Sequence, residues 1–368
     1  MSKLKTMRQS TRKKCFILLG MLIAFGIFEI LIATNTLSNQ MQNLLVPMCY
    51  NIILAVSLNL VVGILGELSL GHAGFMRVGA FVGAFVSKVL GVLYPDLSKW
   101  IVFPLAFLIG GLVAAIFGLL VGFTILRLKG DYLAIVTLAA GEIIWNIFSV
   151  TYAAVDNGKI RFSLGGTNIK GLSPSAKQIA TGAQGISGID PLSSNAGVRF
   201  AIAFAITFVV VWLVLNFIHS RTGRAVQSYR DNRIAAESIG INITKYRLIT
   251  IVLSAFLAGI AGVLYSHELG VISAKQEVFG YVMSINILVF VVLGGMGSTL
   301  GSIIAAVLLT VLPEWLRVLN DYRMLIYAVV LIGVMLINNN PTISSYVDAF
   351  KNKVKSLFKR KNKAKEAQ

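Results

Sequence analysis

The stretch VPMCYNIILAVSLNLVVGIL, residues 46–65, decides the class of fold. It is twenty residues long, mostly apolar, and free of Asp, Glu, Lys and Arg. A helix of about 20 mostly apolar residues is long enough to cross the hydrocarbon core of a bilayer. Nine other runs resemble it, so the sequence predicts an all-α, polytopic membrane helical bundle of about ten transmembrane helices. The predicted spans are Phe16–Ala33, Val46–Leu65, Ala73–Leu93, Ile101–Leu126, Tyr132–Val150, Phe200–Ile218, Leu248–Tyr265, Tyr281–Met296, Ile303–Leu319 and Met324–Ile337.

The composition agrees with a membrane protein and argues against two other classes. Hydrophobic residues make up 56% of the 368 residues and charged residues only 13%, against about 25% in ordinary soluble domains. This argues against a soluble enzyme, and also against a disordered basic protein in spite of the net charge of +18. Two cysteines are too few for a disulfide framework.

The positive charge is concentrated in three clusters that flank apolar runs. The first 14 residues carry six bases and no acid, the last 21 carry eight bases and two acids, and His219–Arg247 carries six bases and two acids. The clusters lack interleaved aromatic residues, which favours a topology signal over nucleic-acid binding. Because Lys and Arg favour the cytoplasmic side, we expect an even number of spans with both termini cytoplasmic. The length of the first run and its Glu29 favour an uncleaved span over a signal peptide.

The runs and clusters divide the chain into segments. Residues 1–15 are predicted to form a basic cytoplasmic tail, residues 16–342 the transmembrane domain, and residues 343–368 a second basic cytoplasmic tail. Within the domain, residues 219–247 form a cytoplasmic loop. Residues 151–199 form a long extracytoplasmic segment rich in Gly, Ser and Ala, which is either a solvated loop or a compact lid or re-entrant segment.

Sites for nucleotide, metal or catalysis are missing from the sequence. No G-x-x-x-x-G-K-[ST] motif occurs, so the chain has no phosphate-binding loop of its own. Gly295–Gly301 has one residue too many for a dinucleotide fingerprint and follows an apolar span rather than a strand. No His/Cys cluster has metal-ligand spacing. We therefore predict neither an enzyme nor a cofactor-binding chain.

Glycines inside the apolar runs fall into two groups. Gly79-x-x-x-Gly83 and Gly118-x-x-x-Gly122 place small residues on one helix face, which favours close helix packing in lipid. Gly63–Gly74 and Gly294–Gly301 instead crowd glycines between two spans. Such irregular backbone at membrane depth is typical of a transport path or gate, and a tight cytoplasmic turn is the alternative.

Five ionisable residues lie in or near the predicted spans. Charge in the hydrocarbon is costly and commonly functional. Glu142 is the most centrally placed, and its pathway role and a structural hydrogen-bonding role both remain open. The scatter of the five argues against a proton-coupled carrier. They are Glu29, Glu142, His267, Glu268 and Glu314.

The cytoplasmic loop contains a predicted helix, Ala225–Ser238, with Gly240 as its C-terminal cap. Val226, Ile234 and Ile239 form a modest apolar stripe at helical spacing. This helix either lies on the membrane or projects into a partner protein.

Several motifs in order give the chain a family resemblance. Arg230–Asn242 resembles the cytoplasmic EAA-type loop of bacterial ABC importer permeases, in the form found in the branched-chain amino-acid permeases of the LivH/LivM family. The resemblance runs from about Leu44 to Ile337 and is closer to the LivM branch. It also rests on Leu58–Gly74, Leu128–Leu138, Gln184–Gly188 and Val291–Gly301.

The resemblance implies a permease subunit in the bacterial cytoplasmic membrane that imports leucine, isoleucine and valine. Its implied partners are a LivH-like second permease, two cytoplasmic ABC ATPase subunits, an extracytoplasmic amino-acid-binding protein and the lipid bilayer. ATP would be bound by the partner subunits, so this chain needs no cofactor. Permeases of the same family for urea, nucleosides or sugars are an alternative, and a stand-alone secondary carrier is a further one.

The resemblance also assigns roles to residues. Coupling to the ATPases is carried over to Arg230, Asp231, Ile234, Ala235, Ala236, Glu237 and Gly240. The predicted translocation path comprises Gly66, Ser69, Gly71, His72 and Glu142, and the predicted gate or helix break comprises Gly294, Gly295, Gly297 and Gly301. Arg77 departs from the family, which has a small or apolar residue there, so it either faces a cavity or anchors at the interface.

Overall fold

The structure is a computed structural model, and it describes residues 2–316 apart from 35, 129, 166–168, 170, 175 and 274–279. A few positions from 322 to 332 are also described, and side chains are described from Lys14 onward. Most of the predicted span Met324–Ile337, and all of the tail 343–368, lie outside the described residues. Residues 1–310 form one compact unit and residues 311–368 a second one.

The described residues are mostly helical, and most of the helices begin and end within a few residues of the predicted spans, but α1 begins at Ser2 rather than Phe16 and α2 at Asn39 rather than Val46. Seven of them are long and apolar enough to cross a membrane, and two shorter apolar helices follow. This confirms a polytopic membrane protein, whereas the total of about ten spans and the side on which the termini lie stay predictions. The helices are α1 (Ser2–Ala33), α2 (Asn39–Asn59), α3 (His72–Leu93), α4 (Lys99–Ile125), α5 (Asp131–Ser149), α6 (Ala196–His219), α7 (Arg221–Asp231), α8 (Arg233–Ser238), α9 (Ile243–Leu269), α10 (Tyr281–Gly294) and α11 (Thr299–Trp315).

Helix α2 is the central element of the bundle. It continues as a π-helix over Leu60–Leu65. In the most apolar stretch of these two helices, 89% of the residues are buried inside this one chain. Helix α2 packs against α6, α9 and α10, and α9 in turn packs against α3 and α4. A helix buried this completely without partner subunits fixes the positions of its neighbours, and therefore of the chain segments at its ends.

The predicted small-residue faces are confirmed as packing surfaces. A Cβ added to Gly79 would overlap the backbone of Gly259 in α9, and one added to Gly83 would lie 2.6 Å from Val263. Gly118 and Gly122 on α4 face the same helix. Because these glycines have no side chain, the backbones of α3 and α4 pack closely against α9.

Two breaks interrupt the apolar helices, as the sequence predicts. Gly66, with a left-handed φ of +81°, ends the π-helix, and the chain runs without regular structure to Gly71 before α3 begins. Gly294 and Gly301 bring α10 and α11 into backbone contact around the turn Gly295–Ser298.

The segment between α5 and α6 folds into a compact structure that contains strands. β1 (Thr151–Asp156), β2 (Lys159–Leu164) and β3 (Lys177–Thr181) form an antiparallel sheet in the order β2-β1-β3. The two-residue turn Asn157-Gly158 has positive φ at both positions, as tight hairpins require. β4 (Ile186–Ser187) pairs with β5 (Val271–Ile272) after α9. Of the two predicted possibilities, the structure therefore favours a compact element over a solvated loop.

The loop between α6 and α9 contains two helices where the sequence predicts one. The single helix predicted over Ala225–Ser238 is wrong, because Asn232 leaves helical conformation with φ −155° and ψ 105°. Its side chain instead accepts a hydrogen bond from the Ala235 N–H at 3.1 Å and begins α8. The predicted cap at Gly240 is confirmed by its φ of +82°.

Candidate functional site

A buried ion-pair cluster lies where α7, α9 and the α2–α3 break meet. Arg247 Nε is 2.6 Å from Glu67 Oε1, and the Tyr229 hydroxyl donates to the same carboxylate oxygen at 3.0 Å. Arg247 Nη1 also donates to the Leu126 carbonyl, just after α4 ends, at 2.9 Å. The Glu67 and Arg247 side chains are only 9% and 6% exposed. The cluster therefore joins the break to α7, α9 and α4 by charge-assisted contacts.

The surroundings of Tyr229 change the pKa of its hydroxyl. Partial burial, reinforced by the negative Glu67 carboxylate, raises the pKa of the Tyr229 hydroxyl above its ordinary value. The hydroxyl therefore remains a hydrogen-bond donor at neutral pH.

Arg230, the next residue on α7, contacts the π-helix just before the same break. Its Nη1 donates to the Gly63 carbonyl at 2.7 Å, and its Nη2 pairs with Asp231 Oδ1 at 3.1 Å. A Cβ added to Gly66 would lie 2.6 Å from Arg230 Cγ, so the arginine stem rests on that glycine. The predicted coupling residue Arg230 and the predicted path residue Gly66 are thus in contact.

The break between α10 and α11 lies at the same place. The Gly297 N–H donates to Asn59 Oδ1 at 2.9 Å, and the Gly63 backbone approaches Gly297 closely enough to exclude a side chain. The two glycine-rich breaks predicted from sequence are therefore neighbours, next to Arg230.

Helix α8 carries most of the other predicted coupling residues on its exposed side. Ile234 is 80% exposed, and Ile239, directly after the helix, is 74% exposed. Ala235 and Glu237 are also exposed, Arg233 pairs with Glu237 at 3.2 Å, and Ala236 faces inward. Val226, the third member of the predicted stripe, is instead fully buried on α7. Large apolar side chains exposed among charged ones are typical of a protein-binding surface.

The start of α3 is fixed within the bundle by polar side chains of its neighbours. His72 Nε2 is 2.8 Å from Ser57 Oγ of α2, and the Ala73 N–H donates to Ser284 Oγ of α10 at 3.1 Å. Thr137 Oγ1 of α5 accepts from the Leu70 N–H at 3.0 Å. Of the predicted path residues, Ser69 and His72 are buried, and Gly71 lies against the α5 backbone.

Glu142 has a structural partner at the start of α10. Its Oε1 accepts a hydrogen bond from the Tyr281 N–H at 3.1 Å, and it lies in electrostatic range of Arg77. Arg77 is 1% exposed, with its guanidinium 5.7 Å from the centre of the Trp145 ring. This burial contradicts the interfacial anchor that the sequence left open for Arg77.

Exposed amides occur on the neighbouring helices α5 and α10. Asn146 on α5 and Asn286 on α10 are exposed, alongside exposed Ile143 and Ile285, and the Asn146 Nδ2 donates to the Glu142 carbonyl at 3.0 Å. Exposed amides inside apolar spans are costly in lipid, so this α5–α10 surface suits a protein interface or a wet path. By contrast, the exposed face of α4 presents only apolar side chains over its middle turns, including Leu108, Leu112 and Ile116.

The remaining ionisable residues of the spans take separate positions. Glu268 pairs with Arg199 of α6 at 3.4 Å, and buried His267 packs against Phe103 and Phe107. Glu29 lies on the sparsely packed α1, and Glu314 belongs to the second compact unit. Among the described residues, no group of three or more His, Cys, Asp and Glu side chains could hold a metal ion.

Sequence reasoning missed the cluster around Glu67. Glu67 lies inside the quoted glycine-rich stretch, but Tyr229 and Arg247 lie 162 and 180 positions further along the chain. The one available signal was a carboxylate within a helix break, which calls for a basic partner when buried.

The fold and the site together define a multi-pass membrane permease with a helical loop between α6 and α9. Residues 40–337 match the sequence profile of the family described as branched-chain amino acid transport system / permease component, and the chain belongs to this family.

Curated relatives agree with this assignment. The chain is 36% identical over 300 residues to the high-affinity branched-chain amino acid transport system permease protein LivM of Salmonella typhimurium. The aligned region covers 77% of this chain and 65% of that protein. The chain is 24% identical over 273 residues to LivH of the same organism, with 70% and 79% coverage. It is 25% identical over 333 residues to the ribose import permease protein RbsC of Escherichia coli, with 88% and 92% coverage. The chain thus spans 65% of the length of this LivM relative.

Proposed function

We propose that this chain is a transmembrane permease subunit of an ATP-driven ABC importer for the branched-chain amino acids leucine, isoleucine and valine. The observation that carries the proposal is the α7–α8 pair. Its outer surface presents Ile234 and Ile239, while Arg230 on its inner surface contacts the α2–α3 break and lies close to the α10–α11 turn. In this arrangement, a partner that moves α7 and α8 from outside the bundle also moves the helix breaks inside it. The similarity to LivM supplies the cargo class.

The two ATPase subunits bind the α8 surface of this chain and the equivalent helix of the second permease, on the cytoplasmic side. ATP is bound and hydrolysed on those subunits, and their closure moves α7 and α8 relative to the spans. Asp231, Ala235, Glu237 and Gly240 belong to this surface or shape it, as Gly240 ends α8 in a left-handed conformation. Alternation between inward-facing and outward-facing states follows when the moved helices have two stable arrangements.

The translocation path lies between this chain and a LivH-like second permease in the cytoplasmic membrane. The α5–α10 surface with Asn146 and Asn286 supports this placement, because exposed amides need polar surroundings. Glu142 and the start of α3 lie beside that surface. Gly294, Gly295, Gly297 and Gly301 lie in and beside the α10–α11 turn that serves as the gate. An extracytoplasmic binding protein delivers the amino acid.

The experiment is uptake by the assembled transporter in vesicles. This chain, its second permease, the ATPases and the binding protein are expected to accumulate labelled leucine only with ATP. Glu237→Lys and Ile234→Asp are expected to abolish uptake and to weaken ATPase co-purification by about tenfold or more, since a buried isoleucine contributes about 1.5–3 kcal/mol.

The matched control is Leu164→Asp on the small sheet, where the leucine is 72% exposed. It leaves ATPase co-purification unchanged. Normal uptake in both α8 variants overturns the coupling assignment. ATP-independent transport by this chain alone in liposomes supports the stand-alone carrier instead.

A second cargo class has its own supporting observation. The ribose permease covers 88% of this chain and 92% of its own length, a larger share than LivM does, although at 25% identity. Titration of the cognate binding protein with leucine, isoleucine, valine, ribose, urea and a nucleoside separates the two, and saturable ribose binding without leucine binding replaces the amino-acid cargo.

A further inference from the structure

Two consecutive residues of α7 contact the start of the α2–α3 break, on either side of Gly66. Tyr229 donates to Glu67 at 3.0 Å, and Arg230 donates to the Gly63 carbonyl at 2.7 Å. Gly63 lies within the π-helix and Glu67 follows its end, so the two anchor points are four residues apart. The left-handed Gly66 lies between them, under the Arg230 stem.

The contact at Gly63 places a positive charge where α2 ends. The last carbonyls of a helix have no partner within the helix and carry partial negative charge. The Arg230 guanidinium satisfies one of them, at a π-helical segment where the regular bonding has already shifted. Removing it leaves that carbonyl without this donor and frees the end of α2 to change its pitch.

The same guanidinium is close to the second break. A Cβ on Gly297 would lie 3.5 Å from Arg230 Nη1, and the Gly297 N–H is held by Asn59 of α2. A displacement of Arg230 therefore acts on the α10–α11 turn as well as on the α2–α3 break.

The Glu67 contact supplies a fixed reference for this movement. Arg247 pairs with Glu67 and donates to the Leu126 carbonyl, which ties the carboxylate to α9 and to the end of α4. Glu67 therefore stays with the bundle, whereas Arg230 is 40% exposed and lies next to the start of α8. The Gly63 contact is therefore the more exposed of the two.

We propose that Arg230 is the positioning residue that transmits α7–α8 movement to both helix breaks, with Glu67 as the fixed anchor against which the α2–α3 segment turns. This inference rests on the proposed function, because it deepens the coupling role of α7 and α8. Arg230 does not touch the transported molecule. It determines whether ATP hydrolysis on the partner subunits changes the conformation of residues 63–72.

The test compares Arg230→Ala with Arg230→Lys and with Arg221→Ala in the complete transporter in proteoliposomes. Arg221 is an exposed arginine at the start of the same helix. Arg230→Ala is expected to keep ATPase co-purification and hydrolysis but to lower substrate moved per ATP by about tenfold or more, as for one charge-assisted hydrogen bond. Arg230→Lys is expected to restore part of the substrate moved per ATP, and Arg221→Ala is expected to leave this quantity unchanged.

A second readout follows the break directly. Leu68 is 39% exposed between Glu67 and the start of α3. In a Cys15→Ser, Cys49→Ser background, a spin label on Leu68→Cys is expected to change mobility with ATP in the otherwise unchanged chain. In Arg230→Ala the label stays unresponsive while hydrolysis continues, which a merely structural role of Arg230 does not produce.

The outcomes separate this inference from the proposed function. An unchanged transport-to-ATP ratio in Arg230→Ala, or a label that still responds to ATP there, overturns the inference. Loss of ATPase co-purification in Arg230→Ala also overturns it, because Arg230 then serves docking. If the unchanged transporter moves none of the three amino acids, the proposed cargo fails, and the label still decides the role of Arg230.

Discussion

Gly66 combines two requirements in one residue. Its φ of +81° lies in the left-handed region that favours glycine, and the Arg230 stem occupies the space where a side chain would begin. Gly158 has a similar φ of +76° but open space around it. Substituting each of these two glycines therefore distinguishes the effect of backbone strain from the effect of the contact with Arg230.

Gly66→Ala is expected to lower the stability of the purified protein by more than the ~1–2 kcal/mol that a left-handed alanine costs. The added methyl group also displaces Arg230 from Gly63, so uptake falls with it. Gly158→Ala is expected to show the strain alone, with normal uptake. Thermal unfolding in detergent and leucine uptake measure both effects, and equal losses in the two variants contradict the proposed contact.

Residue roles could be predicted only where a local pattern exists. Gly240 was predictable as a helix end, because a glycine after a run of helix formers is the usual cap. The Glu67–Arg247 pair was not, since no local spacing relates residues so far apart in the chain. The orientation of Arg77 was equally hidden, because the same sequence position suits a buried or an interfacial side chain.

At the scale of elements, the long apolar helices were predictable and the polar ones were not. Hydropathy persists over about 20 residues in a span, so its signal survives errors of a few positions. Asn232 divides α7 from α8 through one side-chain cap, in a stretch that otherwise favours a continuous helix. The strands β1 to β3 are five or six residues long and lie among Gly and Ser, where alternation is weak.

The small sheet has a titratable contact outside the spans. The Ser173 hydroxyl donates to Asp156 at the end of β1, and Arg161 of β2 pairs with the same carboxylate at 3.5 Å. These groups, the serine hydroxyl first, lower the pKa of Asp156 below its ordinary value of 3.8. The ionised carboxylate therefore stabilises the β1–β2 hairpin, and protonation removes that contribution.

We expect the protection of β1 and β2 amides from hydrogen exchange to be full at neutral pH. It falls only as the pH drops below about 3.8, through the lowered pKa of Asp156. Ser173→Ala moves this loss to higher pH, toward the ordinary carboxylate range. Asp156→Asn removes the pH dependence, and amides of α9 serve as the internal reference. A pH profile that Ser173→Ala does not change contradicts the assignment.

At the scale of the whole molecule, the surfaces of the bundle differ in what they require. The α4 surface is apolar and suits lipid, the α8 surface is exposed and mixed, and the α5–α10 surface carries amides within apolar spans. Hydropathy could predict that the chain crosses a membrane, but it averages over a helix and does not show which side meets a partner. Only the packing of α5 against α3 and α10 reveals that Asn146 remains exposed.

This difference predicts where the second permease binds. In a Cys15→Ser, Cys49→Ser background, Asn146→Cys is expected to cross-link to the second permease in membranes, because the amide it replaces needs a polar or protein neighbour. Leu112→Cys, on α4 and 49% exposed, is the control and stays unlinked, since it meets lipid. Products are identified by mass and by tags on each subunit. A cross-linked product from Leu112→Cys, with none from Asn146→Cys, moves the interface to α4 and removes Glu142 and the α5–α10 surface from the path.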